Sequence, residues 1–228
     1  MRMKHLIVTL IALLTLAPVA LAAPQAISKQ KGVTANIKNN PEAQSIAKKS
    51  LLKLKKAAYK TTFSYIYYSA ETETSTTQSG ELVLNNRLFK IVLNGIETKY
   101  DGLTQWVYMS DNNEVTITEP SRDELIENNP MMLLDHYIDL HRINMDIEQP
   151  KDTYSINFFP QNPKECDFFK INILINDVTF LPKQITISLR NGDRITMQWN
   201  KFDVAECDKA FFRFDDSQYP GVVVNDMR

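Results

Sequence analysis

From Thr62 onward the apolar residues recur with a period of two, in short runs cut by turn-forming residues, and a chain patterned this way has to become a sheet. Phe63, Tyr65 and Tyr67 alternate with Ser64, Ile66 and Tyr68; Leu82 and Leu84 follow, then Phe89, Ile91 and Leu93. Next come Trp106 and Tyr108, opposed by Val107 and Met109, and then Val115 and Ile117. Ser79-Gly80, Asn85-Asn86, Asn94-Gly95, Asp101-Gly102 and Asp111-Asn112-Asn113 separate these runs and read as the tight turns of an antiparallel meander. After an interruption the alternation resumes with Tyr154, Ile156 and Phe158, then Phe169, Ile171, Ile173 and Ile175, then Ile185, Ile187 and Leu189. The Asn191-Gly192 turn leads to Ile195, Met197 and Trp199, and Phe212 and Phe214 mark a last strand with "YPGVVVND" as a tail. The pattern predicts roughly ten or more short strands.

Two segments carry a helical period instead. Asn40-Pro41-Glu42 is a helix start, with a capping side chain, a proline in the first turn and an acid near the positive end of the dipole. Ala43, Ala47, Leu51, Leu54 and Ala58 then share one face, and Lys48, Lys49, Lys53, Lys55 and Lys56 cover the rest as a solvated surface. Between Ser121 and Arg142 the strand pattern breaks: Ser121-Arg122-Asp123-Glu124 is a capping box, and Asn129-Pro130 opens a second helix. That helix, "MMLLDHYIDL", places Met131, Leu134 and Ile138 on one side, with Leu133, Tyr137 and Leu140 widening the apolar face. Two short helices between strands read as a cover over the sheet. The expected fold is mainly β with helices (α+β), a curved antiparallel sheet with an N-terminal helix and a helical pair.

The N-terminus settles the compartment. Arg2 and Lys4 precede an uncharged apolar run from Leu6 to Ala22, and Ala20-Leu21-Ala22 is the small-x-small pattern of a signal-peptidase site. Residues 1–22 are expected to be a signal peptide cleaved after Ala22, since a cut after Ala23 would set Pro24 beside the scissile bond. Residues 23–39 read as a polar leader and residues 40–228 as one domain in an extracytoplasmic, non-lipidated product. Without Arg2 and Lys4 the chain has 24 basic against 27 acidic residues, which excludes the basic face that a nucleic-acid partner demands. The compartment permits a disulfide between Cys166 and Cys207, and two separate thiols fit the sequence equally well.

Catalytic patterns do not surface. His136 and His141 stand five apart and diverge on a helix, so they do not share a metal as an i, i+4 pair does. There is no G-x-S-x-G elbow, phosphate loop or C-x-x-C, and six glycines leave no dinucleotide cradle. The expectation is a protein without catalytic residues, metal or cofactor. What remains is apolar surface: Phe89, Ile91, Trp106, Tyr108, Met131 and Met132 suit a fillable hollow between sheet and helices. The same residues would serve an ordinary helix-on-sheet core, which the pattern alone favours.

The order of several motifs resembles the LolA family of periplasmic lipoprotein carriers over residues 40–226. "SGELVL" (79–84) precedes Leu88-Phe89; "DGLTQWVY" (101–108) is close to that family's D-G-x-x-x-W-x-Y strand; "NNPMMLL" (128–134) stands at its Pro-initiated lid helix. "FFRFDDSQYPGVVVND" (211–226) is similar to the F-x-F…P-x-G ending. The resemblance implies an incomplete β-barrel whose open side is covered by helices, enclosing a hydrophobic cavity. It implies a soluble periplasmic chaperone, expected to be monomeric, that takes acylated lipoproteins from an inner-membrane lipoprotein-releasing ABC transporter and passes them towards the outer membrane, where an acceptor would receive them. Phe89, Ile91, Trp106 and Tyr108 are then candidates to line the acyl-chain cavity, and Met131, Met132, Leu133, Leu134 and Ile138 form the lid. The family's K-R-P segment, whose basic residue is associated with holding the lid, is replaced by Asn85-Asn86-Arg87, so Arg87 is the candidate latch. A lipoprotein anchor carries ~45 methylenes, and at about 0.8 kcal/mol each their exposure costs on the order of tens of kcal/mol. The alternative is a sensor or lipid-binding module of the same fold that transports nothing.

Overall fold

Asn40 caps the first helix as its position before Pro41 requires: its side-chain oxygen accepts a hydrogen bond from the Ala43 amide at 3.0 Å, and α1 runs over Pro41–Leu54. The computed structural model describes residues 39–128 and 130–228, so the expected signal peptide and, Asn39 apart, the leader lie outside the described residues. The buried face of α1 is Ala43, Ile46, Ala47, Ser50 and Leu54. Ala58, expected on that face, instead opens the first strand.

Strand β1 (Ala58–Ser69) begins ahead of Thr62 because Tyr59 and Thr61 already alternate inward with Phe63 and Tyr65. There follow β2 (Thr74–Asn85), β3 (Leu88–Leu93), β4 (Ile96–Tyr100), β5 (Gln105–Met109) and β6 (Glu114–Thr118). Helices α2 (Arg122–Asn128) and α3 (Pro130–Leu140) interrupt the sheet, and β7 (His141–Met145) starts at the residue after α3 ends. The remainder is β8 (Thr153–Pro160), β9 (Phe168–Asn176), β10 (Pro182–Leu189), β11 (Arg194–Trp199), β12 (Asp203–Ala205) and β13 (Val223–Asp226). Ser79-Gly80 is not a turn but lies inside β2, with Gly80 paired to Phe63. Phe212 belongs to a 3-10 turn (Ala210–Phe212), and the last strand is formed by the tail beyond it.

Thirteen strands make one sheet in the order β13-β6-β5-β4-β3-β2-β1-β11-β10-β9-β8-β7, with β12 beside the start of β1. All pairs among the described residues are antiparallel except β13 with β6. The ends of that order, β13 and β7, do not meet, so the sheet is an unclosed barrel. Register carries apolar residues across it in rows, one of them Tyr67, Ile195, Ile187, Ile171, Phe158 and Ile143. These rows and the three helices form one hydrophobic cluster. None of the described helices is long and apolar enough to cross a membrane.

The opposite face of β3 to β6 is covered by the chain's own C-terminal segment. The Tyr108 ring lies 4.4 Å from that of Tyr219 and 5.6 Å from that of Phe214. Arg213 Nε donates to Asp101 Oδ2 at 2.9 Å, Lys99 Nζ to the Arg213 carbonyl at 3.1 Å, and Tyr219 Oη to Glu97 Oε1 at 3.3 Å. Burial alone would raise the Asp101 carboxyl, but the Thr104 amide, the Arg213 guanidinium and the Leu103 amide outweigh it and hold the group below the usual carboxylate range.

Candidate functional site

The helical pair is built from local signals. Ser121 N and Oγ donate to Glu124 Oε2 at 2.7 and 2.8 Å, and the Glu124 amide donates back to Ser121 Oγ at 3.4 Å, closing the capping box that starts α2. Pro130 starts α3. The apolar side chains are then buried: Leu125, Ile126, Met131, Met132, Leu133, Leu134 and Ile138 all belong to the cluster that holds Leu84, Phe89 and Ile143. Leu134 and Phe89 are 0% exposed. Ile91 is half-buried against the same cluster, on the helix-side face.

Trp106 and Tyr108 require a correction. They pair with Lys99 and Glu97, which puts them on the face away from the helices, where the C-terminal segment stacks on Tyr108. Val107 and Met109 share the helix-side face instead, in register with Thr98 and Ile96. β5 is apolar on both sides, and the C-terminal segment covers the side that carries Tyr108.

Arg87 follows a β2–β3 turn in which Asn86 takes φ 54°, and it lines an opening of about 280 Å³ between sheet and helices. The other walls are Tyr100, Gly102, Arg122, Leu125, Met132 and Asp135, so the latch candidate stands beside both helices of the pair. A tie not foreseen from the sequence joins α3 to the end of α1: Lys55 Nζ donates to Asp135 Oδ1 at 2.9 Å. Residues that far apart leave no spacing signature, and Lys55 reads as one more solvated lysine.

The C-terminal end of α3 is aromatic. His141 stacks on Phe168, with centroids 5.8 Å apart, and meets the Tyr137 ring at 4.3 Å. Burial first, and the neighbouring His136 second, pull the His141 imidazole down to about 4, so it is neutral at pH 7. Cys166 and Cys207 do not form a disulfide: Cys166 precedes β9, whereas Cys207 follows β12 beside the start of β1. Among the described residues no three His, Cys, Asp or Glu side chains converge on a metal position.

No family model and no curated protein matches this chain. A solved structure of an uncharacterized conserved protein from Thermus thermophilus matches over 81% of this chain and 99% of that one, at 11% identity and a TM-score of 0.55. The two share a fold. Also matching are a LolA superfamily protein from Nitrosomonas europaea (10% identity, 75% of this chain and 97% of that one, TM-score 0.42) and a putative outer membrane lipoprotein-sorting protein domain from Vibrio parahaemolyticus (12%, 75% and 96%, TM-score 0.42). The unclosed antiparallel sheet, with an N-terminal helix and a helical pair packed into its hydrophobic cluster, agrees with the incomplete barrel covered by helices that the sequence analysis expects.

Proposed function

We propose that this chain is a soluble periplasmic carrier that shields the acyl chains of lipoproteins between the inner and the outer membrane. The observation that carries the reading is the seating of α2 and α3. Their apolar side chains, and not fixed strand residues alone, fill the hollow of the unclosed sheet beside an opening at its rim. Each large apolar side chain gains roughly 1.5–3 kcal/mol from that burial, so the lid residues together hold on the order of ten kcal/mol, and acyl chains entering the hollow replace those contacts in kind. Affinity is then a difference between two apolar burials, small enough to permit release, and the lid need only exchange one partner for another. α3 runs into β7 without a loop, which supplies a pivot at residues 140–141.

In this reading the donor is an inner-membrane lipoprotein-releasing ABC transporter and the chain has no catalytic role. Mass spectrometry of the protein purified from its native periplasm tests it: a bound acylated peptide is expected. A lipid without peptide would move the assignment to a lipid-binding module, and an empty protein under conditions of active lipoprotein export would remove the reading.

A further inference from the structure

The strand order conceals a free edge in its middle. β2 is paired with β1 from Thr74, opposite Ser69, to Leu84, opposite Tyr59. β3 is half as long and meets β2 only from Gly80, opposite Leu93, to Asn85, opposite Leu88. The chain then turns back at Asn94-Gly95, so the edge of β2 over residues 74–79 has no strand beside it among the described residues. On such an edge every second residue directs its amide and carbonyl outward, where another strand would take them up. Folded proteins blunt exposed edges with proline, lysine, a bulge or a cover. The β7 edge is guarded in this way: the Asn40 amide donates to the Ile143 carbonyl at 2.8 Å, and the Ile143 amide donates to Asn39 Oδ1 at 2.9 Å. Residues 74–79 carry no proline and no lysine, and their register with β1 runs without a shift. Thr76 stands opposite Tyr67 and Gln78 opposite Tyr65, on the helix-side face. Gln78 Oε1 is buried there with no hydrogen-bond partner among the described residues.

The ends of this edge are acidic. Glu71 and Glu73 are exposed at the hairpin tip and Glu81 is exposed just past Gly80, and no ion pair engages any of the three among the described residues. These charges select the occupant. Two copies of the chain joined antiparallel about Thr76 and Thr77 would set Glu73 of each level with Gly80 of the other, and Glu81 level with Thr72. Carboxylates would then crowd both ends of the shared ladder, which disfavours a second copy. We propose that residues 74–79 receive an extended segment of a partner polypeptide as an added strand, with lysine or arginine at its ends facing Glu71, Glu73 and Glu81. Main-chain hydrogen bonds hold the guest, and its alternate side chains lie beside Thr76 and Gln78. The site concerns the sheet edge and does not rest on the carrier reading.

Calorimetric titration of the chain from residue 23 onward tests the edge, with a blocked peptide of alternating threonine and valine and a lysine at each end. It should bind at least ~tenfold more tightly than the same peptide ended by glutamate, an advantage that shrinks with added salt. The Glu71→Gln/Glu73→Gln/Glu81→Gln variant should lose that advantage while its circular dichroism stays as it was. Methylating the peptide's backbone nitrogens at either the odd or the even positions separates strand addition from loose attraction. One of the two methylated peptides should lose at least ~tenfold in affinity and the other should keep it, since only one set of amides faces β2. In the complex, amides of residues 74–79 should exchange more slowly, while those of β7 and β13 keep their rates. Equal binding of the lysine and glutamate peptides, a preference that survives the triple substitution, or the same response to both methylation patterns overturns the proposal. Protection at β7 or β13 in place of β2, or no peptide binding at all, overturns it too, and each of these results leaves acyl uptake untouched.

Discussion

A methyl group added at Gly80 would lie 2.6 Å from Cζ of Phe63 and 2.6 Å from the Val92 carbonyl, so the glycine is what lets β1 and β3 close around β2 on the helix side. Gly80→Ala should destabilise the protein by about 1–3 kcal/mol through overpacking, read from the urea midpoint, and Phe63→Leu added to it should recover part of the loss. An unchanged midpoint would mean that the ring moves aside freely. His141 carries a second expectation. Neither ring nitrogen has a hydrogen-bond partner among the described residues, and Tyr137, Phe168 and the nearby His136 surround it. Its folded pKa, about 4, lies below the unfolded value of about 6.5, so the unfolded chain takes up the proton first as the pH falls. The stability that the neutral ring contributes is complete above pH ~6.5 and is lost progressively between ~6.5 and ~4, by up to roughly 3 kcal/mol. His141→Phe should flatten that interval in melting temperatures measured at pH 7 and 4.5. The Asp101 and Asp193 carboxyls, held low by their hydrogen bonds, titrate beneath that window.

Among the elements, the helical pair α2–α3 is the one that the proposed carrier role requires to move as a lid. It is fixed to the sheet through β7 and to α1 through Lys55–Asp135, a half-exposed pair that contributes no more than about 1 kcal/mol. Asp135→Ala should therefore leave the global unfolding midpoint nearly unchanged while amides of α2 and α3 exchange faster. Exchange as slow as in the unaltered protein would mean that the pair does not hold the lid. What made this element legible in the sequence was its locality. A capping box and a proline-led apolar helix are written within a few residues, as is Asn40 before α1. The same reading failed where the decisive neighbour is remote. Ser79-Gly80 looks like a turn until Phe63 is placed across from it, and Phe212 and Phe214 look like a strand until the segment folds flat over β3 to β6. Lys55 and Asp135 are invisible as a pair for the same reason.

If the proposed carrier role holds, the question for the whole molecule is which face of the sheet receives cargo, and β5 poses it most sharply. Period two fixes that Trp106 and Tyr108 oppose Val107 and Met109, but a strand apolar on both sides does not say which side is inward. Only the register with Glu97 and Lys99, and the tail stacked on Tyr108, decide it. The sheet thus has a helix face covered by apolar packing and a tail face whose cover is tied by Arg213–Asp101 and Tyr219–Glu97. If cargo enters under the helices, the two faces must separate function from stability. Leu134→Asp places a carboxylate at a site with no exposure, which unseats the lid and should abolish uptake of an acylated peptide, while the sheet, anchored by its own rows of isoleucine, keeps its circular dichroism. Tyr108→Ala removes the stacking partner of Phe214 and Tyr219, and should lower the unfolding midpoint while leaving uptake by the folded protein intact. Uptake lost in Tyr108→Ala, at a temperature where that variant is fully folded, would place the cargo on the tail face and reverse the assignment of inside and outside.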